Sequence, residues 1–285
     1  MDSNIAGGMR HGTASESFPL RLQTQLARPA TALRPFVWCY GQNQGRIADS
    51  PIVMPLPARP KHVLTFFLAS GPARSLVTGP QTHQRMQVAL SGEVDNFTIH
   101  FQPSGFHQLF GLPMWEFADA AHDAEGVIGR AVVWLRDALG ETANFRDRVR
   151  MADSVLLQLA QPPGREDAVA TVANHIFATH GNVRVEALAA LCDLSPRQFE
   201  RRFRAYTGLP PKLYARITRF NAALSRKLSD YEIGWAAIAH DCGYADQMHL
   251  VRDFREFSGD SPGRFSGRVA LAPELHSMFA TEDYL

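Results

Sequence analysis

The 285 residues predict an α+β protein in two parts: a small N-terminal β-barrel with helices behind it, and an all-helical C-terminal domain. Three observations predict this. Residues 36–101 carry short apolar and β-branched runs broken by Gly, Pro and Ser, the pattern of a small sandwich or barrel. After Pro103 the apolar spacing changes from that of strands to that of helices. From residue 188 onward one local pattern occurs twice, which is too few copies for a solenoid and fits two helix-turn-helix units joined by a helix.

The elements follow in order. The runs FVWCY, HVLTFFLA, SLVTG, MQVAL and FTIHF are the strand candidates, and Pro51, Pro55, Pro57 and Pro60 mark one long connection that cannot pair in the centre of a sheet. Ser104 is placed to cap a short helix running to Phe110, which Gly111 ends and Pro113 prevents from continuing. The stretch holding Asp119, His122, Asp123 and Glu125 reads as a polar loop. Helices are predicted from Ile128 to Leu139 and from Asn144 to Gln161. The second places Phe145, Val149, Ala152, Leu156 and Leu159 on a narrow seam, which serves either the domain's own core or a dimer interface. Gln161-Pro162-Pro163-Gly164 interrupts helix and ends the first domain. Beyond it helices are predicted at 167–180, 185–191, 196–206, 211–228, 235–241 and 246–257, with a short turn near Pro262. The expected division is a disordered segment 1–17, a regulatory or dimerisation domain 18–162, a double helix-turn-helix domain 165–268 and a tail 269–285.

Composition narrows the class. With 45% hydrophobic residues the chain is long enough for two cores. Its net charge of +1 hides an uneven distribution: residues 165–268 hold 15 Lys+Arg against 12 Asp+Glu. Three scattered cysteines make neither a disulfide framework nor a zinc spacing, and the polar N-terminus resembles no signal peptide, so a reducing, cytoplasmic location is expected. Cys192 and Cys242 occupy equivalent turns and read as small packing residues rather than a redox pair, and Cys39 reads as core. His62, His83, His100 and His107 raise a metal site, but no His-x-His occurs, and neither metal nor cofactor is expected.

The repeat carries the chemistry. Phe199 aligns with Leu250, Arg201 with Arg252, Phe203 with Phe254, Arg204 with Arg255, Gly208 with Gly259, Pro211 with Pro262 and Tyr214 with Phe265. Upstream, Leu188, Ala189 and Cys192 align with Ile238, Ala239 and Cys242 at an offset one shorter, so the second copy holds one extra residue in its turn. Ser195 before Pro196 is a sharp helix start, and Asp246 is the N-cap expected in the second copy. At 100° per residue Phe199 and Phe203 take one side of the first helix, and Arg197, Arg201 and Arg204 the other. A solvated helix face is the bland alternative. The recurrence of Arg-x-Phe-Arg in a second capped helix argues against it. An arginine fork near a recognition helix's start can pair with guanine or grip a phosphate, Gln247 can read adenine, and Met248 and Val251 can contact thymine methyls.

In these residues the chain resembles the AraC/XylS family of bacterial transcription regulators. The resemblance spans about residues 167–267 and rests on Ser195-x-x-x-Phe199-x-Arg201-x-Phe203, Gly208 with Pro211 and Tyr214, Arg219, Ile238-Ala239, Gly243-Tyr244, Arg252-x-Phe254-Arg255, and Gly259 with Pro262. It implies base contacts by Arg197, Glu200 and Arg201 in the first helix and by Gln247, Met248, Val251 and Arg252 in the second, with Arg204 and Arg255 also on the DNA side. Phe36-Val37 with Tyr40, Pro55-x-Pro57, Gly79-Pro80 and Phe101–Pro113 resemble the regulatory domains of a subgroup of that family, which implies a cupin-like barrel followed by dimerising helices. The expected partners are double-stranded DNA, a second copy of the chain, RNA polymerase and a small-molecule effector, with no membrane. Trp38, Phe66, His100 and Phe101 are the candidate lining of an effector pocket. The alternatives are a cupin-type enzyme, or a ligand-independent dimerisation module, fused to the DNA-binding domain.

Overall fold

The computed structural model describes residues 21–47, 52–69, 74–84, 87–142, 144–160 and 167–270. The expected disordered segment 1–17 and most of the tail from 269 lie outside these. The N-terminal half contains β1 (Arg21–Ala27), β2 (Val37–Arg46), β3 (Ile52–Pro55), β4 (Val63–Phe67), β5 (Arg74–Thr78), β6 (Gln87–Leu90), β7 (Glu93–Phe101) and β8 (Ala121–Asp123). Its helices are α1 (Gly105–Phe110), α2 (Ala124–Ile128), α3 (Arg130–Gly140) and α4 (Phe145–Leu159). The C-terminal half is helical: α5 (Ala168–Ala178), α6 (Leu188–Leu191), α7 (Pro196–Thr207), α8 (Pro211–Ser229), α9 (Trp235–Asp241), α10 (Gln247–Ser258) and α11 (Pro262–Ala270).

Six antiparallel strands form one sheet in the order β1-β2-β7-β4-β5-β8, and β3 pairs with β6 in a separate two-stranded sheet. The expected barrel is therefore open, with β1 and β8 as edges. Pro55 closes the short β3, where an edge position tolerates its missing N–H. The stretch expected to be a loop at Asp119–Glu125 instead supplies β8 and the start of α2, because Asp123 accepts a hydrogen bond from Gly126 N at 3.0 Å and caps that helix. The predicted helix 128–139 is divided at Gly129, whose φ of 81° breaks the run. Ser104 precedes α1 without a side-chain cap bond.

Strand alternation puts Tyr40, Leu64, Phe66, Val77, Phe97 and Ile99 on one face of the sheet, and α3 and α4 cover that face with Val132, Leu135, Leu139, Ala152, Val155 and Leu156. The seam on α4 thus packs into its own domain. Arg148 anchors it: 2% exposed, it pairs with both oxygens of Asp95 at 2.6 and 2.9 Å and donates to Gln42 Oε1 at 2.8 Å and to the carbonyls of Leu139 and Thr142. Asp153 adds a second tie, accepting from the Tyr40 hydroxyl at 2.7 Å. A buried guanidinium is tolerated because its donors are met.

A second core gathers Val169, Ile176, Phe199, Phe203, Tyr214, Phe220, Leu250, Phe254, Phe257 and Phe265 from the C-terminal helices. The terminal turn expected near Pro262 is a helix of 9 residues, α11, because Phe265 docks against Phe254. Among the described residues, no helix is long and apolar enough to cross a membrane, and no three His, Cys, Asp or Glu side chains are grouped to hold a metal ion.

Candidate nucleic-acid interface

The first reader is built on α7. Ser195 Oγ accepts from Gln198 N at 3.4 Å while Gln198 Oε1 accepts from Ser195 N at 3.1 Å, a reciprocal capping box with Pro196 at the first helical position. Phe199 and Phe203 are buried, and Phe203 meets Tyr214 of α8 edge-on at 5.5 Å. Arg197, Glu200, Arg201 and Arg204 are exposed on the opposite side. Arg202 leaves this group: its Nη2 donates to Asp167 Oδ2 at 2.9 Å, and the Tyr206 hydroxyl reaches the same oxygen at 2.5 Å. Asp167 also caps α5 through Val169 N at 2.9 Å. Burial opposes ionisation of Asp167, but the hydrogen bonds from Tyr206 and Val169 and the charge of Arg202 outweigh it and hold the carboxyl below its ordinary range. Arg202 positions α7 on α5.

The second reader repeats the plan. Asp246 Oδ1 accepts from His249 N at 2.7 Å and caps α10. Gln247, Met248, Arg252 and Arg255 are exposed, Met248 by 57%, while Val251 is half-buried. Leu250 and Phe254 face inward, Phe254 lying 4.8 Å from Trp235 and 4.9 Å from Phe220. Equivalent turns of the two copies use a left-handed residue, Asp193 at φ 52° and Gly243 at φ 71°. Both recognition helices end on a left-handed glycine, Gly208 at φ 82° and Gly259 at φ 69°.

Helix α8 ties the readers together. Arg216 Nη2 donates to Asp253 Oδ1 and to Glu256 Oε2, both at 2.7 Å, and so bolts α10 to α8; Asp253 is 1% exposed. Burial disfavours the Arg216 charge, but the two carboxylates more than offset this and raise its pKa. Arg219 donates to the Gly181 carbonyl at 2.7 Å and lies 5.6 Å over the Tyr244 ring, touching the approach to each reader from the middle of α8. Sequence reading found Arg219 by resemblance and missed the Arg216 network, because its partners lie about forty positions away. With 19 residues α8 is roughly 28 Å long. That length is close to the ~34 Å of one turn of B-DNA.

Cys192 and Cys242 are half-buried free thiols. Burial and the charge of Asp241 push the Cys242 thiol up to about 11, and burial with Asp167 raises Cys192, so neither is an activated thiolate.

The four effector-pocket candidates are divided among different surroundings. Phe66 and Phe101, 0% and 2% exposed, belong to the helix-covered core, where Phe101 meets Phe106 at 5.1 Å. His100 lies on the other face, 3.0 Å from Thr98 Oγ1, because alternation separates it from Phe101. Trp38 meets Phe177 of the C-terminal domain at 5.5 Å.

Residues 188–268 match the family model of a helix-turn-helix domain, and residues 25–123 match a domain of unknown function, DUF6597. No curated protein matches the chain. Among solved structures, the DNA-binding domain of AdpA, a global transcriptional factor in complex with a target DNA, is 32% identical, with 38% of this chain and 99% of that one covered and a TM-score of 0.35. ToxT from Vibrio cholerae O395 is 10% identical, with 86% and 97% covered and a TM-score of 0.40. The same protein bound to (E)-4-(8-methylnaphthalen-1-yl)but-3-enoic acid gives 10%, 86% and 98%, and 0.43. Carrying both readers within residues 188–268, the chain belongs to the AraC/XylS family of DNA-binding transcription regulators.

Proposed function

We propose that α7 and α10 enter successive major grooves on one face of a duplex. Arg197, Glu200 and Arg201 read one half-site, Gln247, Met248, Val251 and Arg252 read the other, and Arg204 and Arg255 grip the flanking backbone. One observation carries this reading: two equivalently capped helices, both packed on α8, present arginines that form no ion pair among the described residues. Selection of bound sequences from random DNA by the full chain tests it. Arg201→Ala or Arg252→Ala should then cost about 1–3 kcal/mol, each at its own half-site. An equal loss on random DNA would assign that arginine to a phosphate.

The N-terminal domain is the proposed site of effector action, in a regulator that works in the cytoplasm as a homodimer and contacts RNA polymerase. The support is the sheet face turned away from α3 and α4, where Asn43 donates to Asn96 Oδ1 at 3.1 Å and half-buried Thr98 and His100 stand side by side. The packed core around Phe66, Phe97 and Phe101 favours a second reading, a ligand-independent dimerisation module. Thermal denaturation of the full chain against a metabolite panel, with its mass measured, separates the two. A raised midpoint supports the sensor. A dimer that responds to no compound supports the module.

A further inference from the structure

The two readers are held together twice, once by α8 and once by the N-terminal domain. Three loops of that domain are cross-linked into one platform. Arg59 and Gln81 exchange backbone hydrogen bonds at 2.9 and 2.8 Å. Asp119 accepts from Thr82 N at 2.7 Å and from Thr82 Oγ1 at 2.5 Å, and donates its own N–H to the Pro80 carbonyl at 2.8 Å. Asp119 does this at φ 56°, a left-handed conformation that aspartate tolerates better than most residues and that these bonds hold in place.

This platform meets the equivalent ends of both recognition helices. A methyl group added to Gly208, the C-cap of α7, would come within 2.8 Å of Pro80 Cγ and of the Met114 carbonyl oxygen. At Gly259, the matching C-cap of α10, it would strike Gln84 Oε1. Ala58, wholly buried in the C-terminal core, donates its N–H to the Phe257 carbonyl at 2.8 Å and accepts from Asn221 Nδ2 of α8 at 2.9 Å. The His107 ring of α1, near His62, packs at a tilt against Tyr206 with centroids 4.4 Å apart. All these contacts lie at the C-terminal ends of α7 and α10 or behind them, and they leave Arg197, Arg201, Gln247 and Arg252 exposed. The platform therefore does not cover the DNA-facing side.

We propose that the platform formed by residues 56–62, 79–84 and 113–119, together with His107 of α1, is a brace that sets the separation and relative rotation of the two readers, and so selects the spacing between half-sites. A helix joining two bodies still bends and twists. A second attachment across the far ends of both readers removes much of that freedom. One added base pair turns a half-site by about 35° around the duplex, so small changes in reader placement matter. Residues such as Ala58, Gln84 and His107 are then positioning residues for specificity although they touch no DNA. The inference rests on the assignment of α7 and α10 as the two readers.

The test uses the full chain and duplexes carrying both selected half-sites, with their separation at the selected value and one base pair to either side, alongside duplexes with a single half-site. The intact protein should prefer the selected separation by about tenfold. The variant Ala58→Asp and the milder double variant Gln84→Ala with His107→Ala should bind single half-sites as before, yet prefer that separation by less than about threefold. If the double variant keeps the full preference, the brace is refuted. If it loses single half-site binding, the platform serves the folding of a reader, which also refutes it. An intact protein indifferent to separation overturns the two-reader assignment itself, and that failure is visible without any variant.

Discussion

His62 sits where the two domains meet, fully buried, with neither ring nitrogen in a well-formed hydrogen bond. Burial drives its pKa down to about 3; the nearby Thr207 backbone works against this and the neighbouring His107 adds to it. The docked state therefore holds the neutral ring, while an opened or unfolded chain takes up a proton at the ordinary value of 6.5. Stability from this residue is complete above 6.5 and is lost progressively as the pH falls toward about 3. By pH 5.5 the loss should be on the order of 1 kcal/mol relative to pH 8. Asp167, whose carboxyl is held below 3.8, contributes its own loss only in stronger acid, so the decline between pH 8 and 5.5 does not come from Asp167. Urea midpoints at both pH values for the intact chain and for His62→Met test this. The variant should show a distinctly smaller decline, and an equal decline in both would remove His62 from the account.

At the scale of the element, α7 divides its residues between folding and recognition, and substitutions on its two faces should behave oppositely. Phe203→Ala leaves a cavity beside Tyr214 and Phe199 and should cost about 3–5 kcal/mol of stability, whereas Arg201→Ala should leave the melting midpoint nearly unchanged while weakening DNA binding. Loss of binding by Arg201→Ala through unfolding would contradict this division. The face was legible in the sequence because Ser195-Pro196 announces the helix start and the 3.6-residue period assigns the phenylalanines to one side. Strand β1 was not. Its residues, RLQTQLA, occupy a sheet edge paired only with β2, so their alternation of apolar and polar types is weak. The open barrel was equally hidden, since closure depends on whether β1 and β8 find partners. Phe66 and Phe101 were correctly seen as large apolar strand residues, but an apolar strand face fits a ligand pocket and a helix-covered core alike, and only the position of α3 and α4 decides. Arg148 shows the same limit: nothing in the sequence sets it apart from Arg146 and Arg150 of the same helix, or signals that Asp95, 53 positions earlier, will pair with it in the core.

For the whole molecule, the charge is arranged rather than abundant. A net +1 spread evenly would attract DNA weakly, but the C-terminal domain places Arg197, Arg201 and Arg204 on one exposed helix face and Arg252 and Arg255 on its counterpart. Arg202 and Arg216, which carry equal formal charge, are already neutralised by Asp167, Asp253 and Glu256 and should contribute little to binding. Affinity for the selected duplex should therefore fall steeply with salt, each phosphate contact adding about −0.9 to the slope of log K against log salt. Arg204→Ala and Arg255→Ala, at the equivalent penultimate turns, should each reduce that slope by about one without altering the preferred sequence, since a phosphate grip is lost and no base contact. Arg202→Ala should leave the slope unchanged while lowering stability through α5. Titrations from low to moderate salt with these three variants decide the matter. A flat response of the intact chain, or a slope that follows Arg202 instead of Arg204 and Arg255, would mean that the exposed arginines are an ordinary solvated surface and that DNA lies elsewhere on the molecule.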